Sequence, residues 1–383
     1  MHSLLAVTAA SYVGLTFASP LSSRCTGTIA SLDDVAEAVK CTEVNIESFE
    51  VPAGQALEIN LLDGSTVNMN GDVTFGVANW EGPLFTVSGN DITFNGNGHK
   101  FDGNGPEYWD GLGGNGGVTK PAPMMKSVVA SSELSQTPID LYRIKISGVY
   151  QDVIVVNSPA RTYSVSNPGP LLMTSLTIDN SLGDEPNDQS NGEPAGHNTD
   201  GFDCSTQDLV ISNSVIHNQD DCLAINKGSN ITFTGNTCTG GHGISVGSIS
   251  SDAVVTDIHI TNNMVIDNDQ ALRIKTKANA TSASVSGVTY SGNTATGCKR
   301  FGVIIDQSYP DTLGEPGDGV TISDITFSGE TSDISVGNDA QRVAVNCGSG
   351  SCTGTWDWSA LKVCGGEAST IEGFNGITGW SDS

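Results

Sequence analysis

Positive charge is what this sequence has least of: 16 Lys and Arg stand against 43 Asp and Glu, a formal net charge of −27 at pH 7. Such a chain repels polyphosphate, which excludes nucleic acid as a natural partner. It would also repel any other polyanion at neutral pH, so an enzyme of this charge acting on one should work in acid and keep its site locally basic. Beyond the N-terminus no apolar run approaches the roughly 20 residues of a membrane span, and no membrane association is expected. Amphipathic helical patterns are also scarce. Short runs of Val and Ile are separated by Asn, Ser, Thr and 46 Gly, a composition that favours strands and turns.

Residues 1–19 are apolar, contain no Lys or Arg, and end in small residues before Pro20. They resemble a secretory signal peptide with cleavage near Ala18 or Ser19; the alternative is a buried N-terminal strand or helix. The first reading predicts a secreted, extracellular protein with a single domain over residues 20–383. Nine Cys in a secreted chain imply disulfides and leave at least one thiol over. The pairs close in sequence are Cys25 with Cys41, Cys222 with Cys238, and Cys347 with Cys352. Two sequons place candidate glycans on Asn230 and Asn279.

Ser31-Leu-Asp-Asp34 has the form of a capping box, and Leu32, Val35 and Val39 follow at helical spacing, which predicts a short amphipathic helix from Ser31 to about Lys40. From Ala56 onward brief alternating runs recur instead. Strands ending in Asn213, Asn236, Asn263 and Asn293 form a loose repeat with intervals of 23, 27 and 30 residues. Repeats of roughly 20 to 50 residues carrying strands and no helix point to a solenoid, in which each rung buries its inward side chains only by stacking on its neighbours. The expected fold is therefore all-β, a right-handed parallel β-helix whose open N-terminal end is covered by the Ser31 helix. A propeller or sandwich is the competing architecture. The glycine-rich stretch from Phe101 to Pro121 interrupts the repeat, and its Trp109 could wall a groove or pack on the scaffold.

Four polar blocks lie within the repeat: Asn198-Thr-Asp200, Gln219-Asp220-Asp221-Cys222, Gly241-His242-Gly243 and Arg273-Ile274-Lys275. If the rungs stack, three carboxylates, a histidine and two cations share one patch. Leu223 and Ile225 should point inward, and strict alternation would send Asp221 inward too. A bend before that strand must therefore turn both carboxyls outward. Arg273 and Lys275, two apart, fall on one strand face with Ile274 in the core. A pair of carboxyls can serve as acid and base in hydrolysis of a glycosidic bond. The bland alternatives are a solvated acidic turn, surface salt bridges, and a turn histidine.

These blocks in this order resemble the signature blocks of the polygalacturonases, glycoside hydrolase family twenty-eight, most like the fungal endo-acting members. Gly98-His-Lys-Phe-Asp102-Gly, Tyr108-Trp-Asp110 and Ile305-Asp-Gln-Ser-Tyr309 extend the likeness over nearly the whole mature chain. The resemblance implies inverting hydrolysis of the α-1,4-galacturonosyl linkages of pectin without metal or cofactor, by a monomer whose partners are the pectic polysaccharide and plant inhibitor proteins. It implies Asp220 as general acid, Asp200 and Asp221 as holders of the attacking water, and His242 as the orienter of Asp220. Arg273, Lys275, Tyr309 and Asn198 are then substrate contacts. A bridge from Cys222 to Cys238 would fix the acid pair. Exo-acting or rhamnogalacturonan-cleaving members, a calcium-dependent pectate lyase and a non-catalytic polysaccharide-binding solenoid are the alternatives.

Overall fold

The computed structural model describes residues 25–126 and 145–382; the expected signal peptide, residues 1–19, lies outside them. The chain winds into a right-handed parallel β-helix, the sense that parallel crossovers take. Three faces alternate along each coil. One runs from Thr26–Ile29 to Val320–Phe327, a second from Phe49–Val51 through Val215–His217 to Thr294–Cys298, and a third from Leu57–Asn60 to Phe301–Tyr309. The third face stacks residues 202–204, 223–225, 244–246 and 272–274 in sequence order, and the long strands Phe202–Ser212 and Leu223–Thr234 continue past it onto the first face.

Every strand pair in the main sheet is parallel, so a residue's rung is set by register. Ile231, Ile258, Val288 and Ile325 form one buried column. Stacking apolar rows in this way removes each rung's inward face from water, at about 25 cal/mol per Å² of apolar surface. Aromatic rings add a second column, with Phe94 against Tyr150 at 4.8 Å and Tyr163 against Phe202 at 5.2 Å between centroids.

The asparagine repeat is a ladder of amides, displaced by one residue in its first rung. Asn263 Nδ2 donates to Asn293 Oδ1 at 3.0 Å and Asn236 Nδ2 to Asn263 Oδ1 at 3.2 Å. The next rung is filled by Ser214, whose N–H donates to Asn236 Oδ1 at 2.9 Å across 22 residues. Asn213 is instead the left-handed residue before it, at φ 53°, equivalent to Gly235 and Asn262. Both positions favour Asn, one for its amide and one for its tolerance of positive φ, which is why the spacing read from sequence slips there.

The N-terminal cap is shorter than the expected Ser31–Lys40 helix: a 3₁₀ turn at Leu32–Asp34 followed by Val35–Ala38. Asp34 folds back to accept from the Ser31 hydroxyl at 2.8 Å and the Ala30 N–H at 3.1 Å. The chain must then reach Cys41, which is bonded to Cys25 and so returns to the first rung. Leu32, Val35 and Val39 pack on the core end as their spacing predicts. All three sequence-close cysteine pairs are disulfides, while Cys204 and Cys298 are buried thiols and Cys364 an exposed one. Asn230 and Asn279 are both exposed.

Candidate active site

The four polar blocks occupy the corner where the second face turns into the third, with the last block on the third face itself. Phe202, Leu223, Ile244 and Leu272 are in register on successive rungs. The residues just before them are stacked by the same ladder: the Gly201 N–H bonds Asp221 O at 2.9 Å, and the Cys222 N–H bonds Gly243 O at 2.9 Å. Asp200, Asp221 and His242 therefore fall in one column, with Asp220 beside it.

The bend required ahead of Leu223 is present, since the strand begins only at that residue. Buried Asn218 pins it by donating to the carbonyls of Thr199 at 3.0 Å, Asp220 at 3.1 Å and Asp221 at 3.0 Å. Cys222, bonded to Cys238, anchors the next residue in the core. The Asp221 N–H closes the turn onto Asp220 Oδ1 at 2.7 Å. Both carboxyls thus leave the backbone before alternation starts to govern it.

Each acid has distinct partners. Asp220 accepts from Asn198 Nδ2 at 2.9 Å and lies 2.9 Å from His242 Nδ1. Asp221 is ion-paired with Lys275 Nζ and accepts from the Ser245 hydroxyl at 2.7 Å. Asp200 stands among Asp203, Asp220 and Asp221, and burial together with those three charges pushes its carboxyl well above the usual range. Burial also pushes Asp203 up to about 6, against the pull of Arg161. For Asp220 burial works upward, but the hydrogen bond and charge of His242, with Lys275, outweigh it and hold the carboxyl low. His242 moves the other way: burial lowers it, and Asp220, Asp221 and Asp269 raise it above its ordinary 6.5.

Lys275 is raised by Asp221 against its own burial and lies 5.4 Å from the Tyr309 ring centroid, so Tyr309 joins the cluster. Arg273 follows Ser245 in register one rung on, and its Nε is buried without a hydrogen-bond partner. Asp220, Asp221 and His242 offer ligand atoms within 4.8 Å of one another. A cation held there would displace Lys275 from Asp221 or the proton between His242 and Asp220.

Sequence reasoning missed several members. Ser245 and Asp203 follow from register alone, which only the ladder discloses. Asp306 accepts from Ser308 N–H and Oγ, the Leu313 N–H and Asn346 Nδ2 at 2.7 to 3.0 Å, fixing the loop that carries Tyr309. The glycine-rich loop reaches the site by its backbone: Gly114 N–H donates to Asn198 Oδ1 at 3.1 Å, leaving Asn198 Nδ2 for Asp220. Trp109 does not wall the groove. It is buried against the scaffold, with Nε1 donating to Ser158 O at 3.0 Å, because the tight Gly105 turn sets the ring under the loop.

The chain matches Glycosyl hydrolases family 28 over residues 41–378. It is 41% identical over 354 residues to a probable endopolygalacturonase I of Aspergillus flavus, covering 91% of this chain and 88% of that protein. Endopolygalacturonase B of Aspergillus oryzae is 38% identical over 353 residues, 90% and 89% of the two chains. Among solved structures, endopolygalacturonase I from Stereum purpureum complexed with two galacturonate superposes with a TM-score of 0.81 at 44% identity, over 90% of this chain and 96% of that one. With the same fold and a match spanning nearly all the described residues, this chain belongs to glycosyl hydrolases family 28.

Proposed function

We propose that this protein is a secreted endo-polygalacturonase that hydrolyses α-1,4-galacturonosyl linkages of pectin with inversion. The observation that carries the reading is a basic island beside clustered acids in a molecule of charge −27: Arg273 with an unpartnered buried Nε, next to Lys275, His242 and three aspartates. Arg273 takes a uronate carboxylate through paired N–H donors, and Lys275 adds a point charge. Tyr309 and Asn198 border the same space, Tyr309 offering a ring face to the sugar.

Asp220 donates the proton to the leaving oxygen. In the free site His242 holds Asp220 ionised, with the proton on Nδ1 only 2.9 Å away. Entry of a uronate chain brings negative charge and excludes water, both of which raise Asp220 and favour transfer of that proton to it. Asp200 and Asp221 hold the attacking water. The upward push on Asp200 makes its ionised carboxylate a stronger base toward the proton of that water, while Asp221 stays paired to Lys275. Inversion is supported by the third acid, which serves the water although Asp220 and Asp221 are closer than the roughly 6.5 to 9.5 Å usual between two inverting carboxyls.

Residues 1–19 are assigned as the signal peptide, and Asn230 and Asn279, both exposed, as glycan sites. The test is viscometry of polygalacturonate in parallel with a reducing-end assay. Viscosity should collapse while few reducing ends have formed; release of monomer with viscosity falling in proportion would overturn the endo mode.

A further inference from the structure

Arg161 occupies a position that neither the four blocks nor the proposed mechanism uses. Thr162 donates its N–H to Asp200 O at 2.8 Å, and Tyr163 is in register with Phe202, so Arg161 stands one rung before Asp200 in the column that continues through Asp221 and His242. With rungs about 4.8 Å apart, it lies about 10 Å from the Asp221 rung. Arg273 and Lys275 are on the other side of the acids.

The Arg161 side chain is half exposed, at 52%. Its Nε lies 4.0 Å from Asp203 Oδ2, too far for a hydrogen bond, and its guanidinium makes no hydrogen bond among the described residues. The turn at Gly113–Asn115 passes beside it: a Cβ added at Gly114 would lie 3.9 Å from Arg161 Nη2. That turn is tied to Asn198 through the Gly114 N–H. The cation is thus walled by loop backbone on one side and by the acids on another, with its donors unspent. An exposed pair at this distance holds its partner weakly.

We propose that Arg161 is a further specificity-determining residue, binding the carboxylate of a uronate on the far side of the catalytic acids from Arg273 and Lys275. This rests on the polygalacturonase reading. A planar guanidinium takes a carboxylate through two parallel N–H···O bonds, and a methyl ester offers neither the charge nor the second acceptor of equal strength. Arg161 therefore makes this end of the groove discriminate free-acid from methyl-esterified pectin.

The test compares wild type, Arg161→Gln and Arg161→Lys on polygalacturonate and on partially methyl-esterified pectin. Arg161→Gln should raise KM on polygalacturonate about three- to tenfold with kcat little changed, shift KM on the ester much less, and recover in part in Arg161→Lys. Affinity for a galacturonate hexamer is measured alongside, in an Asp220→Asn background with and without Arg161→Gln. It should fall by the same factor with the second substitution, and the fall should shrink for the methylated hexamer. Equal affinities in the two backgrounds, or equal losses on acid and ester, overturn the role of Arg161 and leave the polygalacturonase reading intact. Wild type that does not cleave polygalacturonate would overturn that reading, while the hexamer measurement still decides whether Arg161 binds uronate.

Discussion

Two corners of the same coil use register in opposite ways. At the corner between the first and second faces, Asn236, Asn263 and Asn293 stack so that each amide satisfies the next, and the ladder is closed by hydrogen bonds. At the corner between the second and third faces, the same stacking sets Asp200 and Asp221 one rung apart beside Asp220 and Asp203, where like charges cannot satisfy each other. Amides are donor and acceptor at once; carboxylates only accept. The acid corner stays folded because Lys275, His242 and Asn198 supply donors from later and earlier rungs, and its remaining frustration is what leaves protons poised for chemistry.

Asp220→Asn should break the contrast most strongly on the functional side. It preserves the shape of the acid corner but removes the proposed proton donor, so kcat on polygalacturonate should fall by about 10²- to 10⁴-fold while the thermal midpoint drops only slightly, through loss of the ion pair with His242. Lys275→Met should break the corner itself. Asp221 would be left as a buried, uncompensated charge, at a stability cost of about 3–5 kcal/mol measured by urea unfolding, and activity should fall with it. Adding Asp221→Asn to Lys275→Met should restore much of the stability and none of the activity.

Asn263→Ala attacks the other corner. Its amide donates to Phe233 O and Asn293 Oδ1 and accepts from the Asn236 N–H, so its loss should cost about 1–3 kcal/mol in urea unfolding with kcat unchanged.

The smallest effect is on pH dependence. Asp203, raised from 3.8 to about 6 by burial, contributes stability that is full below its unfolded value and lost as pH rises through about 6. His242, also raised, contributes fully below 6.5 and loses that contribution as pH climbs through its folded value. Asp220, lowered, contributes above 3.8 and loses only as pH falls further. The thermal midpoint should therefore be higher near pH 5 than near pH 8, and Asp203→Asn should shrink that difference. A midpoint that rises toward pH 8 would contradict the assignment.

Much of the fold and of the acid corner is legible in the sequence. Strand alternation places Ile274 in the core between Arg273 and Lys275, and the inward Leu223 demands the bend that Asn218 pins. Partners set by register stay hidden, because sequence spacing does not say how many residues each corner holds. Asn213 shows this on a small scale, since the ladder member of its rung is Ser214. Ser245 shows it at the site, where a common residue type gains meaning only from the rung beneath it. The loop that bears Gly114 acts through its backbone, which carries no side-chain signal.

In the proposed mechanism three acids on stacked rungs deliver a proton from one side and water from the other. Proton NMR of polygalacturonate during the first moments of hydrolysis tests this most directly, read before mutarotation mixes the anomers. The new reducing ends should appear first as the β-anomer; first appearance of the α-anomer would mean retention through a covalent intermediate and would contradict the shared-water site.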